Sequence, residues 1–501
     1  MSEIVYISKL NETHLYVDAS ASISAEIGEY FKFRIPNYQF HPKVKMRMWD
    51  GFINLYNVHS KTLYCGLITY LLEYCESAGY TVQLSGDVAI TDKKIITTTD
   101  TIKKYIRNDL SISEVKVEFR EYQLDAIKDA INYRRAVLLS PTASGKSFIQ
   151  YVLIRMYQKL LPQDQKLLLL VPTTSLVNQM LTDFADYSSD DASWNALDEC
   201  HPIMAGRDKD SGDKRIIIST WQSLYKLPKK YFHQFGFINN DECHLCAATS
   251  LTRINEAAIN CKYRFGTTGT LKDAKTHHLT IEGLLGPVIR VAKTKDLIDQ
   301  KYLADIEITM VRLIYSDSEK KALARKSYEE EKVYLQNHEK RLRFLANMGD
   351  YIEENTLLLF DRVEHGKSLY NALKSAKKPD ELYYVDGQIS ADQREKIRGA
   401  CEQPDKVVYV VASYGTFATG INIKNLHNIV FASSTKSPIR LLQSIGRGLR
   451  THDKKSKCRI FDICDDLTHK SWVNYMVRHS KEREILYLKE DFHYNRIKVT
   501  L

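Results

Sequence analysis

Lys146 and Ser147 are the first residues in the chain whose types and spacing point to chemistry. They follow Ser140-Pro-Thr142-Ala143-Ser144-Gly145, a run of small residues between an apolar stretch at 136–139 and a helix-compatible one at 148–157. Strand, small-residue loop and helix, with Gly-Lys-Ser at the turn, is the setting of a phosphate-binding loop. Backbone N–H groups of Thr142, Ala143, Ser144 and Gly145 then converge with those of the helix start and attract a polyphosphate. Lys146 is placed to reach the β- and γ-phosphates, and the Ser147 hydroxyl to sit on Mg²⁺. Ser140 stands where the bare pattern has its first glycine. An ordinary turn with a surface lysine carries some of the same letters. Whether the loop serves a kinase, a switch or a motor depends on the residues C-terminal to it.

Asp241 and Glu242 come at the end of a second apolar stretch, 235–238. Adjacent carboxylates near a phosphate loop divide the work: Asp241 holds Mg²⁺, and Glu242 orients and deprotonates the attacking water. The same four letters, Asp-Glu-Cys-His, also occur at 198–201. That copy precedes the strand leading to Thr220-Trp221-Gln222, where too little of the sheet has been laid down, so Asp241 and Glu242 are the expected pair. Cys243 and Cys246 have zinc-like spacing but no second pair at matching distance, and zinc is not expected. Further on, Gln443, Arg447 and Arg450 fall at i, i+4 and i+7, one face of a helix. Fixed guanidiniums there can act as arginine fingers on a transferring phosphoryl group, although a solvated basic face has the same spacing. Gln123, within Arg120-Glu-Tyr-Gln, offers the paired donor and acceptor that match an adenine edge.

The elements that must position these groups alternate. Between 115 and 292, and again between 305 and 467, short apolar strand candidates alternate with amphipathic helical stretches, implying two parallel sheets covered by helices. A long charged helical stretch, 318–354, interrupts the second series. Two such domains in tandem, only the first with a phosphate loop, point to a two-lobed nucleic-acid motor. Ahead of them, residues 1–105 form a small separate domain, with lobes over 106–295 and 296–501. In the small domain two strands flank a turn at Asn11-Glu12, and helices are expected over 21–31 and 67–78, the second ending at Gly79. Lys43, Lys45 and Arg47 alternate with apolar residues, which predicts a strand with one basic face, then a turn at Trp49-Asp50-Gly51 and a return strand over 52–56. A basic hairpin with aromatics suits a nucleic-acid backbone, and equally a solvated strand face.

Composition narrows the setting. The chain has 501 residues, 44% hydrophobic and 27% charged, so it folds rather than remaining disordered. A net charge of +9 is mild support for a polyanionic partner. The first residues have neither a basic nor an apolar segment of a secretory leader, and apolar runs such as 167–171 are far too short to span a bilayer. Nine cysteines without framework spacing fit a reducing compartment, and the expectation is a cytoplasmic protein.

Taken in order, Arg120-x-Tyr-Gln123, Ser144-Gly-Lys-Ser147, Val171-Pro-Thr173-Thr174, Asp241-Glu-Cys-His244, Thr268-Gly-Thr270, Thr419-Gly420-Ile421 and Gln443-x₂-Gly-Arg447-x₂-Arg450 resemble the motifs of superfamily 2 helicases and translocases. With Met48-Trp-Asp-Gly51 and Thr220-Trp-Gln222 added, the chain is similar to the UvsW-type recombination helicases of phages. The resemblance implies an α/β fold: two tandem RecA-like parallel-sheet lobes behind a small N-terminal α+β DNA-binding domain. It implies ATP and Mg²⁺ as cofactors, bound between the lobes. Lys146, Asp241, Glu242, Arg447 and Arg450 would carry hydrolysis, with Arg120, Gln123, Gly420 and Gln443 joining the loop around the nucleotide. DNA would be contacted by Thr173, Thr174, Thr220, Trp221 and Gln222 in the first lobe, and by Tyr414 and Gly415 in the second. Lys43, Lys45 and Arg47 are a further patch, and the aromatic, basic stretch 472–498 would help to hold DNA. The implied partners are branched DNA (Holliday junctions, forks and R-loops, the last with RNA in DNA–RNA hybrids) and no membrane. The implied work is branch migration, fork regression and R-loop unwinding in recombination, repair and replication. A monomer is expected, in the host cytoplasm if phage-encoded. An RNA helicase and the motor subunit of a restriction complex remain as rival readings.

Overall fold

A computed structural model describes residues 4–88, 97–113, 118–204, 206, 208–246, 249–271, 275–348, 351–375, 379–403, 406–420, 423–452 and 455–501. The chain forms two compact units: residues 1–140 with 145–291, and 292–501 with the loop residues 141–144.

The first unit is built on a seven-stranded parallel sheet. Its order is Cys200–Ile203, Ile216–Thr220, Lys166–Val171, Phe235–Asp241, Tyr263–Thr268, Arg135–Leu139 and Val288–Arg290. Lys166–Val171 reads as an unbroken apolar run because helices cover both faces of the sheet. Leu167, Leu169 and Val171 join Leu138, Phe237 and Phe265 in one core. Leu168 and Leu170 join Val137 and Ile238 in the other. In register, Leu169 lies between Ile218 and Asn239, and Thr267 lies between Asp241 and Leu138. Parallel pairing therefore brings the carboxyl ends of Phe235–Asp241, Tyr263–Thr268 and Arg135–Leu139 to one edge.

The same unit carries the N-terminal sheet, in the order Tyr56–Asn57, Thr62–Tyr64, His14–Asp18, Ile4–Lys9 and Thr81–Leu84. The turn at Asn11-Glu12 forms as expected, with the Asn11 Oδ1 accepting from the N–H groups of Thr13 and His14 at 2.8 and 2.9 Å. The helix Ile68–Ala78 ends at Gly79, whose φ of 77° is left-handed. This sheet is bolted to the larger one. The fully buried Arg264 guanidinium donates to Thr13 Oγ1 at 2.7 Å and to the carbonyls of Asn255, Ala258 and Cys261. Tyr64 and Tyr70 donate to Glu256 and Glu282 at 2.6 and 2.7 Å.

One local expectation needs correction. Lys43, Lys45 and Arg47 do not alternate along a strand: Pro42–Lys45 is a short helix, and Arg47 turns left-handed at φ 57°. Pro42 at the first helical position favours the helix start, and the His41 ring nitrogen accepts the Lys43 N–H. The strand Phe52–Asn54 pairs instead with Lys32–Arg34. The three basic side chains are nonetheless exposed. Beyond the N-terminal sheet the helix Thr99–Asn108 is started by the Thr98 side chain, with Ile102 and Ile106 buried one turn apart.

The second unit is another seven-stranded parallel sheet, ordered Glu381–Val385, Val408–Ser413, Thr356–Phe360, Asn428–Phe431, Lys457–Asp466, Asp305–Ile314 and Tyr494–Thr500. The charged stretch expected as one long helix is three: Asp317–Leu323, Tyr328–Gln336 and Glu339–Asn347. Ser316 with Glu319, and Ser327 with Glu330, form reciprocal capping boxes that start the first two. The stretch 472–498 supplies the helix Tyr475–Lys489 and most of the edge strand Tyr494–Thr500. No helix among the described residues is long and apolar enough to cross a membrane.

Candidate nucleotide site and family

Strand Arg135–Leu139 delivers Ser140 to the carboxyl edge of the first sheet, where its N–H donates to Thr268 O at 2.8 Å. The loop then turns through Ala143 (φ 66°) and Gly145 (φ 80°), both left-handed. Such a pairing of turns directs backbone N–H groups into a concave anion site. Gly145 has a second reason to be glycine, since a Cβ there would lie 2.3 Å from Gln123 Nε2. Gln123 is itself buried, and its Oε1 accepts the Arg120 N–H at 3.2 Å. The helix Lys146–Leu160 starts at the loop. Lys146 Nζ donates to Ser140 O at 3.2 Å, and the Ser147 hydroxyl lies 3.0 Å from the Tyr187 hydroxyl.

One turn into that helix, Gln150 ties the loop to the carboxylate pair. Its Nε2 donates to Asp241 Oδ1 at 3.2 Å and to Thr267 Oγ1 at 2.6 Å, while Thr267 Oγ1 donates to Asp241 Oδ1 at 2.9 Å. The motif spacing missed Gln150. The available signal was a lone amide in the apolar run 148–154, which cannot stay buried without a partner. Burial, reinforced by the neighbouring Glu242 charge, pushes the Asp241 carboxyl up to about 6. Glu242 is held in the left-handed region at φ 51°, a strained geometry for a residue with a side chain. Its Oε2 lies 3.1 Å from His244 Nδ1 and 3.4 Å from Thr268 Oγ1. Carboxylate and hydroxyl oxygens are hard donors that suit Mg²⁺, and the left-handed loop suits phosphate, so the residues present fit a nucleotide–metal pair.

The second Asp-Glu-Cys-His lies elsewhere. Asp198 and Glu199 close a short helix at the amino end of strand Cys200–Ile203, the edge of the sheet opposite Asp241, and Glu199 Oε2 accepts from Gln158 Nε2 at 2.8 Å. Cys243 and Cys246 are core side chains whose thiols are raised by burial.

In the second unit the helix Pro438–Gly448 carries Gln443 and Arg447, both half-buried. The Arg447 guanidinium stands 5.5 Å from the centre of the Phe417 ring. Arg450 is not on the helix as its i+7 spacing implied: Leu449 ends it, and the buried Lys455 ammonium donates to the carbonyls of Gly448 and Arg450. The helix Tyr414–Gly420 contains Gly420; Ile421 lies outside the described residues.

The expected DNA contacts separate by exposure. Thr174, Gln222 and Gly415 are exposed, Thr173 and Trp221 half-buried. Thr173 caps the helix Thr174–Tyr187, and Gln222 Nε2 donates to Pro172 O at 3.3 Å. Thr220 is buried, with its hydroxyl 2.9 Å from that of Ser223. Tyr414 is 1% exposed and its hydroxyl donates to Ser433 O at 2.8 Å. It is a core side chain, its ring 6.2 Å from that of Phe431, and is not offered to DNA, because a ring that large is worth more buried.

Comparison with known proteins adds to this geometry. Residues 7–85 match the family "DNA helicase UvsW, N-terminal", 116–273 "Type III restriction enzyme, res subunit", and 340–452 "Helicase conserved C-terminal domain". The ATP-dependent DNA helicase uvsW of Enterobacteria phage T4 is 32% identical over 495 residues, covering 96% of this chain and 97% of that protein. The chain belongs to the UvsW family of superfamily 2 DNA helicases. The crystal structure of T4 UvsW aligns with a TM-score of 0.52 at 30% identity over the whole of both chains. The DNA 3'-5' translocase XPB2 of Sulfurisphaera tokodaii is 22% identical over 381 residues, 68% of this chain and 80% of that one. The two seven-stranded sheets are thus the tandem RecA-like lobes of a helicase, and the N-terminal sheet is its family-specific addition.

Proposed function

We propose that this ATP-dependent DNA helicase acts on branched DNA, migrating Holliday junctions, regressing forks and unwinding R-loops in recombination, repair and replication. It works as a monomer in the cytoplasm, with a DNA-binding domain over 1–105 and motor lobes over 106–295 and 296–501. The observation that carries the ATPase part is the Gln150 bridge, which holds Asp241 against the helix that begins with Lys146 and Ser147. When bound, Mg²⁺ neutralises phosphate charge and is held by Ser147 and Asp241. Thr142, Ala143, Ser144 and Gly145 bind the phosphates through backbone N–H groups, and Lys146 compensates their charge. Arg120, Gln123, Gly420 and Gln443 complete nucleotide recognition. Glu242 takes the proton of the attacking water, with His244 and Thr268 orienting its Oε2. Arg447 and Arg450 stabilise charge on the transferring phosphoryl group.

For DNA, the exposed Thr174, Gln222 and Gly415, with the half-buried Thr173 and Trp221 beside them, form the motor contacts, the buried Thr220 supports Trp221 and Gln222 from the strand end, and Lys43, Lys45 and Arg47 add a phosphate-binding patch. The deciding experiment is ATPase stimulation and strand displacement across a matched Holliday junction, DNA fork, R-loop and RNA duplex at stated salt. Stimulation by the branched DNAs is expected. Stimulation by the RNA duplex alone would overturn the reading.

A further inference from the structure

Residues 432–435 lead from strand Asn428–Phe431 into the helix that carries Gln443 and Arg447. They are gripped at every residue by buried side chains from elsewhere in the second unit. Arg341 Nη2 donates to Ala432 O at 2.6 Å, and His365 Nδ1 lies 2.8 Å from Ser433 Oγ. The Tyr414 hydroxyl holds Ser433 O. From the C-terminal helix, Arg483 Nη1 donates to Ser434 Oγ at 2.8 Å and to Thr435 O at 3.2 Å. The other side of its fork is spent on Asp462, with Nη2 donating to Oδ1 at 2.6 Å and Nε to Oδ2 at 2.8 Å. Asp462 is fully buried on strand Lys457–Asp466 and also accepts from the Tyr487 hydroxyl at 2.9 Å. The grip continues into the helix. Thr435 Oγ1 accepts the Ser437 N–H at 3.2 Å, and Ser437 Oγ accepts the Arg440 N–H at 3.4 Å, the cap that starts the helix.

We propose that Arg483 is a positioning residue for ATP hydrolysis: braced by Asp462, it fixes the loop on which the arginine helix is mounted, and so the aim of Arg447. The inference rests on the proposed role of Arg447. A guanidinium is needed because only a planar fork serves a carboxylate and a second set of acceptors at once; an ammonium keeps the charge pair and gives up the loop. Removing the charge entirely would strand a buried Asp462 carboxylate and threaten folding, so the informative variant is Arg483→Lys.

With Arg483→Lys we expect kcat of DNA-stimulated ATP hydrolysis to fall by roughly tenfold or more, the scale of a small misplacement of a reacting group. KM for ATP and affinity for ADP should hold and the unfolding temperature should fall by no more than the few degrees that two lost hydrogen bonds cost, while affinity for ADP–aluminium fluoride, a mimic of the transferring phosphoryl group, falls in step with kcat. Ser434→Ala, which leaves the ion pair intact, should lower kcat less. Combined with Arg483→Lys it should add nothing, because both cut the same link. A normal kcat in Arg483→Lys overturns the proposal. So does a parallel loss of ADP binding and thermal stability, and so do independent effects of the two substitutions. Arg447→Ala separates the two readings. If it hydrolyses ATP normally, the arginine-finger role fails; if it is inactive while Arg483→Lys is normal, the mount alone fails.

Discussion

Replacing Asp241 by Asn should separate the stability of the first sheet from its chemistry. Asp241 is 6% exposed, and one oxygen, Oδ1, accepts from both Thr267 and Gln150. An amide oxygen can accept both. What Asn removes is the buried charge, opposed first by burial and then by Glu242, which lifts the carboxyl from 3.8 to about 6. The sign comes from proton binding. Between these two values the folded chain holds a proton that the unfolded chain releases, so stability is present below about pH 4 and is lost as pH rises through 6. At ~1.4 kcal/mol per tenfold in proton affinity, the loss above pH 6 is about 3 kcal/mol. In chelator, at pH 7.5, Asp241→Asn should therefore be about 1–3 kcal/mol more stable than the parent in the unfolding of the first unit, and the difference should shrink towards pH 4.5. Its DNA-stimulated ATPase should meanwhile be lost, since the neutral side chain no longer offers an anionic oxygen to Mg²⁺. Urea unfolding across that pH range checks both sign and slope. A variant less stable than the parent at pH 7.5, or a gain that does not vary with pH, would refute the reasoning.

Glu242→Gln preserves shape and should bind ATP and DNA while kcat falls by about 10²–10⁴, the usual contribution of a positioned base; Glu199→Gln, at the opposite edge of the sheet, should stay within about twofold in the same steady-state assay. Gly145→Ala must accept a left-handed φ and a Cβ 2.3 Å from the Gln123 amide, so equilibrium titration with a fluorescent ATP analogue should show affinity reduced by at least about tenfold. Arg264→Met leaves three carbonyls and the Thr13 hydroxyl without their donor and should destabilise the first unit by roughly 3–5 kcal/mol. Limited proteolysis should then release the N-terminal sheet faster than in the parent.

The residues proposed to carry chemistry were legible as candidates in order, because a phosphate loop, a carboxylate pair and an arginine helix are short-range patterns. A loop needs small residues at specific steps, and a strand covered on both faces needs an unbroken apolar run. The errors share a cause. Lys43, Lys45 and Arg47 alternate like a strand, but Pro42 and the His41 cap outweigh a period of two over so few residues. The three helices between 317 and 347 announce themselves in Ser-x-x-Glu boxes, which a reading of charge density passed over.

Local sequence alone therefore determined the strands of the two seven-stranded sheets, the loop conformation and the kinds of side chain at the candidate nucleotide site. The order of strand candidates along the chain already favoured the Asp-Glu-Cys-His at 241–244 over that at 198–201, and strand direction in the parallel sheet puts the two at opposite edges. The tertiary structure decided the long-range partners. It turned Tyr414 inward and Gln150 towards Asp241, and it ran a buried link from Asp462 through Arg483 to the arginine helix. Each of these joins residues far apart in sequence. Their partners are set by the register of a parallel sheet and by the need of buried polar groups to find one another, and neither is written in any short window of the chain.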